Sequence, residues 1–299
     1  MNFDLHMHSS YSKDGEKSPQ ELIQIAKEKG LDVVALCDHD SIQGVHEMKR
    51  EGEKESIQVI HGIECSTLFE GHECHLLGYG IDLEDPYFLS LTNHVLKLCD
   101  DAFHERIVKL EAKYPIHIDE AQVLKDAGDE NPWFLLCERI FNDPQYQTIE
   151  DFKDYIPGGK RSDPAPVNFF WDKCQKGSDL YVYVNFPDFK ESVQKIHESG
   201  GLAILAHPFN TFYQNEDLLM KAIEAGIDGI EVFSNYHEPY HNAYYEKFAK
   251  EHHLLMTCGS DYHGKHKPSI QMGEYGEVTD KEQILQNFLN QLKNSSNHS

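Results

Sequence analysis

Seven short apolar or alternating runs recur along the chain, each closed by turn residues, and helix signals stand between several of them. The runs are 2–6, 33–37, 58–63, 74–79, 202–206, 229–233 and 254–258, and each reads as a buried strand. Ser18-Pro19-Gln20-Glu21 is a capping box with proline at the first helical position, and Gly30 stands where that helix should stop. Asp188-Phe189-Lys190-Glu191 and Thr279-Asp280-Lys281-Glu282 open two further helices, the first closing at Gly200-Gly201. Strand–helix alternation over this length predicts an α/β protein with a parallel barrel or open sheet. Residues 85–179 break the rhythm. Helical periodicity over 89–113, 119–127 and 133–141 precedes Gly158-Gly159 and a Pro-rich segment ending at Pro166. This stretch is expected to be a mostly helical insertion between the fourth and fifth strands. It would leave 1–84 and 180–299 as the barrel domain, with a disordered tail over 294–299.

The residues at and just beyond the strand ends point to chemistry. After the first strand come His6, His8 and, in the next loop, Asp14; after the second, Asp38, His39 and Asp40. The third ends in Glu64, the fourth carries His75 near its start, the fifth ends in His207, and the seventh runs into Asp261 and His263. The sixth ends in Phe233-Ser234-Asn235 with no evident ligand. Barrels and open α/β sheets gather their sites at the carboxyl ends of strands. His6 and His8 are two apart on a strand, so both imidazoles leave the same side, and Asp261 and His263 repeat that spacing. Imidazole and carboxylate together suit zinc, manganese or iron(II), and the set contains no cysteine of a closed structural zinc site.

Composition removes several function classes. The formal net charge of −24, from 51 acidic and 27 basic residues, repels duplex nucleic acid and leaves bound cations to attract a phosphorylated substrate. No apolar run reaches the length of a membrane span, and no signal pattern precedes the first strand. Seven scattered cysteines without a C-x-x-C pair fit a reducing cytoplasm rather than a disulfide framework.

His6-Met7-His8-Ser9-Ser10 with Asp14-Gly15, then Cys37-Asp38-His39-Asp40, Gly62-Ile63-Glu64, Ala206-His207-Pro208 and Gly259-Ser260-Asp261-Tyr262-His263-Gly264, in that order, resemble the PHP (polymerase and histidinol phosphatase) family. The resemblance implies a distorted (β/α)7 barrel and two or three divalent ions of manganese, iron or zinc. His6, His8, Glu64 and Asp261 would bind the first, the shared Glu64 with His75 and His207 the second, and Asp14, His39 and His263 the third. Ser12-Lys13-Asp14-Gly15 is similar to the nucleotidase-type branch, which includes bisphosphate nucleotidases and a 5′-end RNA exonuclease. Other branches, including the histidinol-phosphate phosphatases, have histidine at the place of Asp14.

The expected reaction is hydrolysis of a phosphate monoester of a small nucleotide-like substrate by a metal-bridging hydroxide, with Glu64 and Asp261 at its centre. Cys65, Cys74 and Cys258 read as small buried strand residues, and Asp38, Asp40 and His237 are eligible general acids. Glu231, His72 and Glu73 read as supporting groups. Arg161, beside Lys160, and Lys267, near Lys265, are the candidate substrate contacts. Two alternatives stand: a histidinol-phosphate phosphatase, disfavoured by Asp14 and the insertion, and a non-catalytic metal-stabilised regulatory module. The latter expects missing ligands and a partner domain. The sequence leaves the oligomeric state open.

Overall fold

The computed structural model describes residues 1–128 and 130–295. Strand β1 (Phe3–Met7) is buried along its whole length. It leads to helix α1 (Pro19–Glu28), where the Ser18 and Glu21 side chains each accept from the other's backbone amide. Leu22, Ile23 and Ala26 form the buried stripe of this helix, and Gly30 leaves it at φ +68°, a left-handed turn that glycine takes without strain. The chain continues through β2 (Val33–Leu36), α2 (Val45–Glu55), β3 (Gln58–Phe69) and β4 (His72–Tyr79).

Helix α3 (Pro86–Lys113) opens the next stretch, followed by α4 (Glu120–Ala127), α5 (Pro132–Asn142) and α6 (Ala165–Lys173). Helix α7 (Phe189–Glu198), capped by Asp188, returns the chain to β5 (Leu202–Leu205). Then come α8 (Phe209–Phe212), α9 (Glu216–Glu224), β6 (Gly229–Ser234), α10 (Pro239–Glu251), β7 (Leu255–Gly259) and α11 (Lys281–Ser295). The tail expected to be disordered from residue 294 is helical through Ser295, and residues 296–299 lie outside the described residues.

The seven strands form one sheet in chain order. Its ends meet just past β7, where the Asp261 amide donates to the His6 carbonyl at 2.8 Å and the His8 amide to the Tyr262 carbonyl at 3.0 Å. The result is a nearly closed seven-stranded barrel. Strand order agrees with the sequence; strand direction does so with one exception. β4 runs antiparallel to both β3 and β5. Glu70 and Gly71, both at positive φ, make a two-residue hairpin loop between Phe69 and His72, and this turn type requires that backbone at both positions. The consequence is functional. A reversed strand presents its beginning, where His75 lies, at the rim where the parallel neighbours present their ends.

The chain separates into two compact units, residues 1–93 with 186–299 and residues 94–185. The first is the barrel. The second has its own aromatic core, in which Phe169 meets Phe141, Phe152, Tyr155 and Trp133 at ring separations of 4.9–5.9 Å. Asp119 and Asn131 cap α4 and α5. Among the described residues no helix is long and apolar enough to cross a membrane. All seven cysteines are free, and six are buried.

Candidate metal centre

Alternation along β1 puts Asp4 and His6 on one face, and His8 continues that face beyond the strand. His6 and His8 bring their Nε2 atoms to 3.1 Å from each other. Glu64, in β3, places Oε2 at 3.2 and 3.1 Å from those two nitrogens. Asp261, just after β7, places Oδ1 at 3.3 and 2.9 Å from the same pair. Four donor atoms thus stand about one tetrahedral edge apart, roughly 3.4 Å for metal–ligand bonds near 2.1 Å.

The other carboxylate oxygen of Glu64 faces a different group. Its Oε1 lies 3.0 Å from His75 Nδ1 and 2.9 Å from His207 Nε2. Asp14 Oδ2 lies 3.2 Å from His263 Nε2 and 3.5 Å from His39 Nε2. The opposite ring nitrogen of His39 approaches Glu64 Oε2 at 3.3 Å, so this histidine stands between the Asp14 group and Glu64. All nine residues expected from the sequence are therefore brought together. His6, His8, Glu64 and His263 are wholly buried, whereas the side chains of Asp14, His39, His75 and His207 are 18–25% exposed and form the open side.

Among the described residues, four buried atoms of this cluster, Asp14 Oδ1, His39 Nδ1, His75 Nδ1 and His263 Nε2, make no hydrogen bond of acceptable geometry, although the three nitrogens lie 3.0–3.3 Å from a carboxylate oxygen. Buried polar atoms are normally paired, and lone pairs converging without intervening hydrogens are what metal ligands present. The donor set is imidazole and carboxylate, the chemistry of manganese, iron or zinc. These residues fit divalent metals.

Charge within the cluster is strongly coupled. Burial alone would raise the Glu64 carboxyl, but His39, His6 and His75 hold it well below its ordinary range. Burial likewise opposes protonation of His8, yet hydrogen bonds to Asp261 and Glu64 outweigh it and carry this imidazole to about 9.

An outer layer positions the candidate ligands. Glu231 Oε1 lies 3.0 Å from His6 Nδ1, and its Oε2 accepts from the His207 amide at 2.9 Å. His263 Nδ1 donates to the Asp261 carbonyl at 2.7 Å, leaving Nε2 toward Asp14. Ser12 Oγ lies 3.3 Å from His8 Nδ1 and accepts from the His39 amide at 2.7 Å. Three buried aspartates each clip a serine by its amide and its hydroxyl: Asp4 takes Ser260, Asp38 takes Ser9 and Asp40 takes Ser66. Each clipped serine is within two residues of a cluster residue, so each clip fixes backbone beside a candidate ligand.

These contacts narrow the expected acid–base roles. Asp38 and Asp40 are committed to their serines. His237 donates Nδ1–H to the Val232 carbonyl, and burial lowers it to about 4, so it holds no acidic proton near neutrality. Lys267 Nζ, expected from the sequence as a substrate contact, lies 2.8 Å from Asp261 Oδ2 and donates to the Tyr236 hydroxyl at 2.7 Å. Tyr236 in turn donates to the same Asp261 oxygen at 2.5 Å. Tyr236 carries no signal in the sequence, because the strand before it ends without a ligand. Arg161 belongs to the second unit, where Asp172 holds its guanidinium at two points, 2.9 and 2.8 Å. The charge expected to hold phosphate there already has a counter-charge.

A family model, the PHP domain, matches residues 4–140. The chain is 30% identical over 269 residues to a 5′-3′ exoribonuclease of Haemophilus influenzae, covering 87% of this chain and 89% of that protein. It is 29% identical over 268 residues to a phosphoribosyl 1,2-cyclic phosphate 1,2-diphosphodiesterase of Eggerthella lenta, covering 88% and 94%. It is 28% identical over 267 residues to a 3′,5′-nucleoside bisphosphate phosphatase of Chromobacterium violaceum, covering 88% and 87%.

Proposed function

The chain belongs to the PHP family of metal-dependent phosphoesterases, and from that premise we propose that it hydrolyses a phosphate monoester of a small nucleotide-like substrate. The metal centre would hold two or three ions of manganese, iron or zinc. His6, His8, Glu64 and Asp261 would bind one, Glu64, His75 and His207 a second, and Asp14, His39 and His263 a third. The observation that carries this reading is the division of Glu64, one oxygen toward His6 and His8 and the other toward His75 and His207. A carboxylate so placed can bridge two cations and offset their mutual repulsion.

Divalent metals held there would supply Lewis acidity and lower the pKa of a water toward neutrality. The chain's own residues do the rest. Glu231 orients the His6 ring, and Asp261 turns one oxygen to the ligand group while Lys267 and Tyr236 hold the other. The Lys267 ammonium stands beside that carboxylate, where it can also meet a phosphoryl oxygen of the substrate. The buried side of the centre excludes bulk water, and the exposed edge formed by Asp14, His39, His75 and His207 admits the ester. The nucleotide part of the proposal draws on the relatives, two of which are named for nucleoside or ribonucleic acid substrates. A net charge of −24 favours a small substrate over a duplex. Six buried free thiols support a reducing compartment, the cytoplasm.

A phosphate-release screen over phosphorylated metabolites, run beside a 5′-phosphorylated RNA oligonucleotide, tests the proposal. Release of orthophosphate from nucleoside monoesters, abolished by chelation, is the expected result. Cleavage of the oligonucleotide to mononucleotides with no orthophosphate release would replace the monoester by the diester. The exoribonuclease relative favours that second reading.

A further inference from the structure

Aromatic rings continue outward from the metal centre in an unbroken row. Tyr236 touches Asp261 through its hydroxyl, and its ring meets that of His207 at 5.5 Å. Phe209 stacks on Tyr236 at 5.7 Å and 14°, and His241 is next to Phe209 at 5.8 Å. Tyr240 and Tyr213 close the row against His241 at 4.1 and 4.5 Å. Tyr240 is 57% exposed, and Phe209, Tyr213 and Tyr236 are half-buried. The residues come from segments beyond two adjacent barrel strands, the loop and α8 after β5 and the loop and α10 after β6.

Single exposed aromatics need no explanation. A contiguous row that starts on a metal ligand does. The chain repels anions at long range, and Lys267 already has Asp261 and Tyr236 as partners. Little cationic charge is left here for the part of a substrate beyond the reacting phosphate. Stacking on a ring surface needs no charge, and every nucleobase offers a π-face. We propose that Phe209, Tyr213 and Tyr240 form a platform that stacks the base of the nucleotide and thereby selects nucleotides over base-free sugar phosphates. This inference rests on the nucleotide-like substrate proposed above.

Adenosine carries the base without a phosphate, so its binding reports the platform separately from hydrolysis. Adenosine and ribose are titrated by calorimetry and ligand-observed NMR into the metal-loaded wild type and into Tyr240→Ala, Phe209→Leu and Tyr240→Phe. Orthophosphate inhibition serves as the control for an intact centre. Adenosine should bind the wild type and Tyr240→Phe alike, and loss of a ring should weaken it about 5-fold or more. Ribose should not bind measurably, and orthophosphate inhibition should be unchanged throughout. Adenosine binding that is absent from the wild type, or equal in all variants, would overturn the platform. So would a parallel loss of orthophosphate inhibition, which marks structural damage. Nucleotide hydrolysis without adenosine binding would sink the platform alone. Adenosine binding without nucleotide hydrolysis would sink the substrate reading and leave the platform standing.

Discussion

His237 is buried between Phe209 and Tyr245, its Nδ1–H donated to Val232 and its Nε2 without a hydrogen-bond partner among the described residues. Burial lowers it from the ordinary 6.5 to about 4. As pH falls below 6.5, the unfolded chain takes up a proton that the folded chain refuses until about pH 4. Stability is therefore full above 6.5, is lost through that window and is flat below it. Two and a half units correspond to about 3 kcal/mol. His237→Phe should remove this slope while leaving the rest of the acid profile, measured as urea midpoints of chelated protein at pH 7 and 4.5. An unchanged slope would place its origin elsewhere. Lys267 offers a second test at this scale. Lys267→Met strips a charged hydrogen bond from the outer oxygen of Asp261 and should cost about 1.5–3 kcal/mol of transition-state stabilisation. Steady-state kinetics should put the loss in kcat/KM, and turnover equal to wild type would remove Lys267 from the site's electrostatics. The nine residues of the candidate centre were legible because same-face spacing and position after a strand are local signals. The Lys267–Tyr236 contact was not, since it joins two loops 31 residues apart that the parallel pairing of β6 with β7 brings together.

At the scale of elements, the seam between β1 and β7 governs the centre, because it carries His6 and His8 on one side and Asp261 on the other. The strands approach so closely at Gly259 that a Cβ there would lie 2.2 Å from the His6 Cβ and 2.5 Å from Glu231 Oε1. Gly259→Ala must part the strands or move His6, and overpacking of this kind costs about 1–3 kcal/mol. The melting temperature should fall by several degrees, and bound metal should fall with it. Retention of both would mean that the seam yields without disturbing the ligands. Most strands were readable as apolar runs between turn residues, and the insertion's helices as periodicity. The reversal of β4 was hidden. Its only local mark is Glu70-Gly71, a weaker hairpin signal than Asn-Gly or Asp-Gly, and a buried run reads the same in either direction. That one reversal explains why His75 serves the rim from the start of its strand.

For the molecule as a whole, net charge and metal content are linked. The barrel buries Asp4, Asp38, Asp40, Glu64, Glu231 and Asp261 in a chain that is already strongly negative. Divalent ions would cancel part of that self-repulsion and bind only the folded state, each adding about 2.7 kcal/mol at a hundredfold excess over its Kd. Chelation should therefore lower the melting temperature markedly, and added salt should recover part of the loss by screening. Equal melting with and without chelator would separate metal from stability. The central claim, one shared centre built from nine residues, is tested most directly by elemental analysis of the purified full chain after growth with manganese, iron and zinc. Wild type, Asp14→Ala and Glu64→Gln are compared, with circular dichroism as the check on folding. At least two equivalents in wild type, about one fewer in Asp14→Ala, and the largest loss in folded Glu64→Gln are the predicted results. Less than one equivalent in wild type, or full metal content in Glu64→Gln, would contradict the bridging centre.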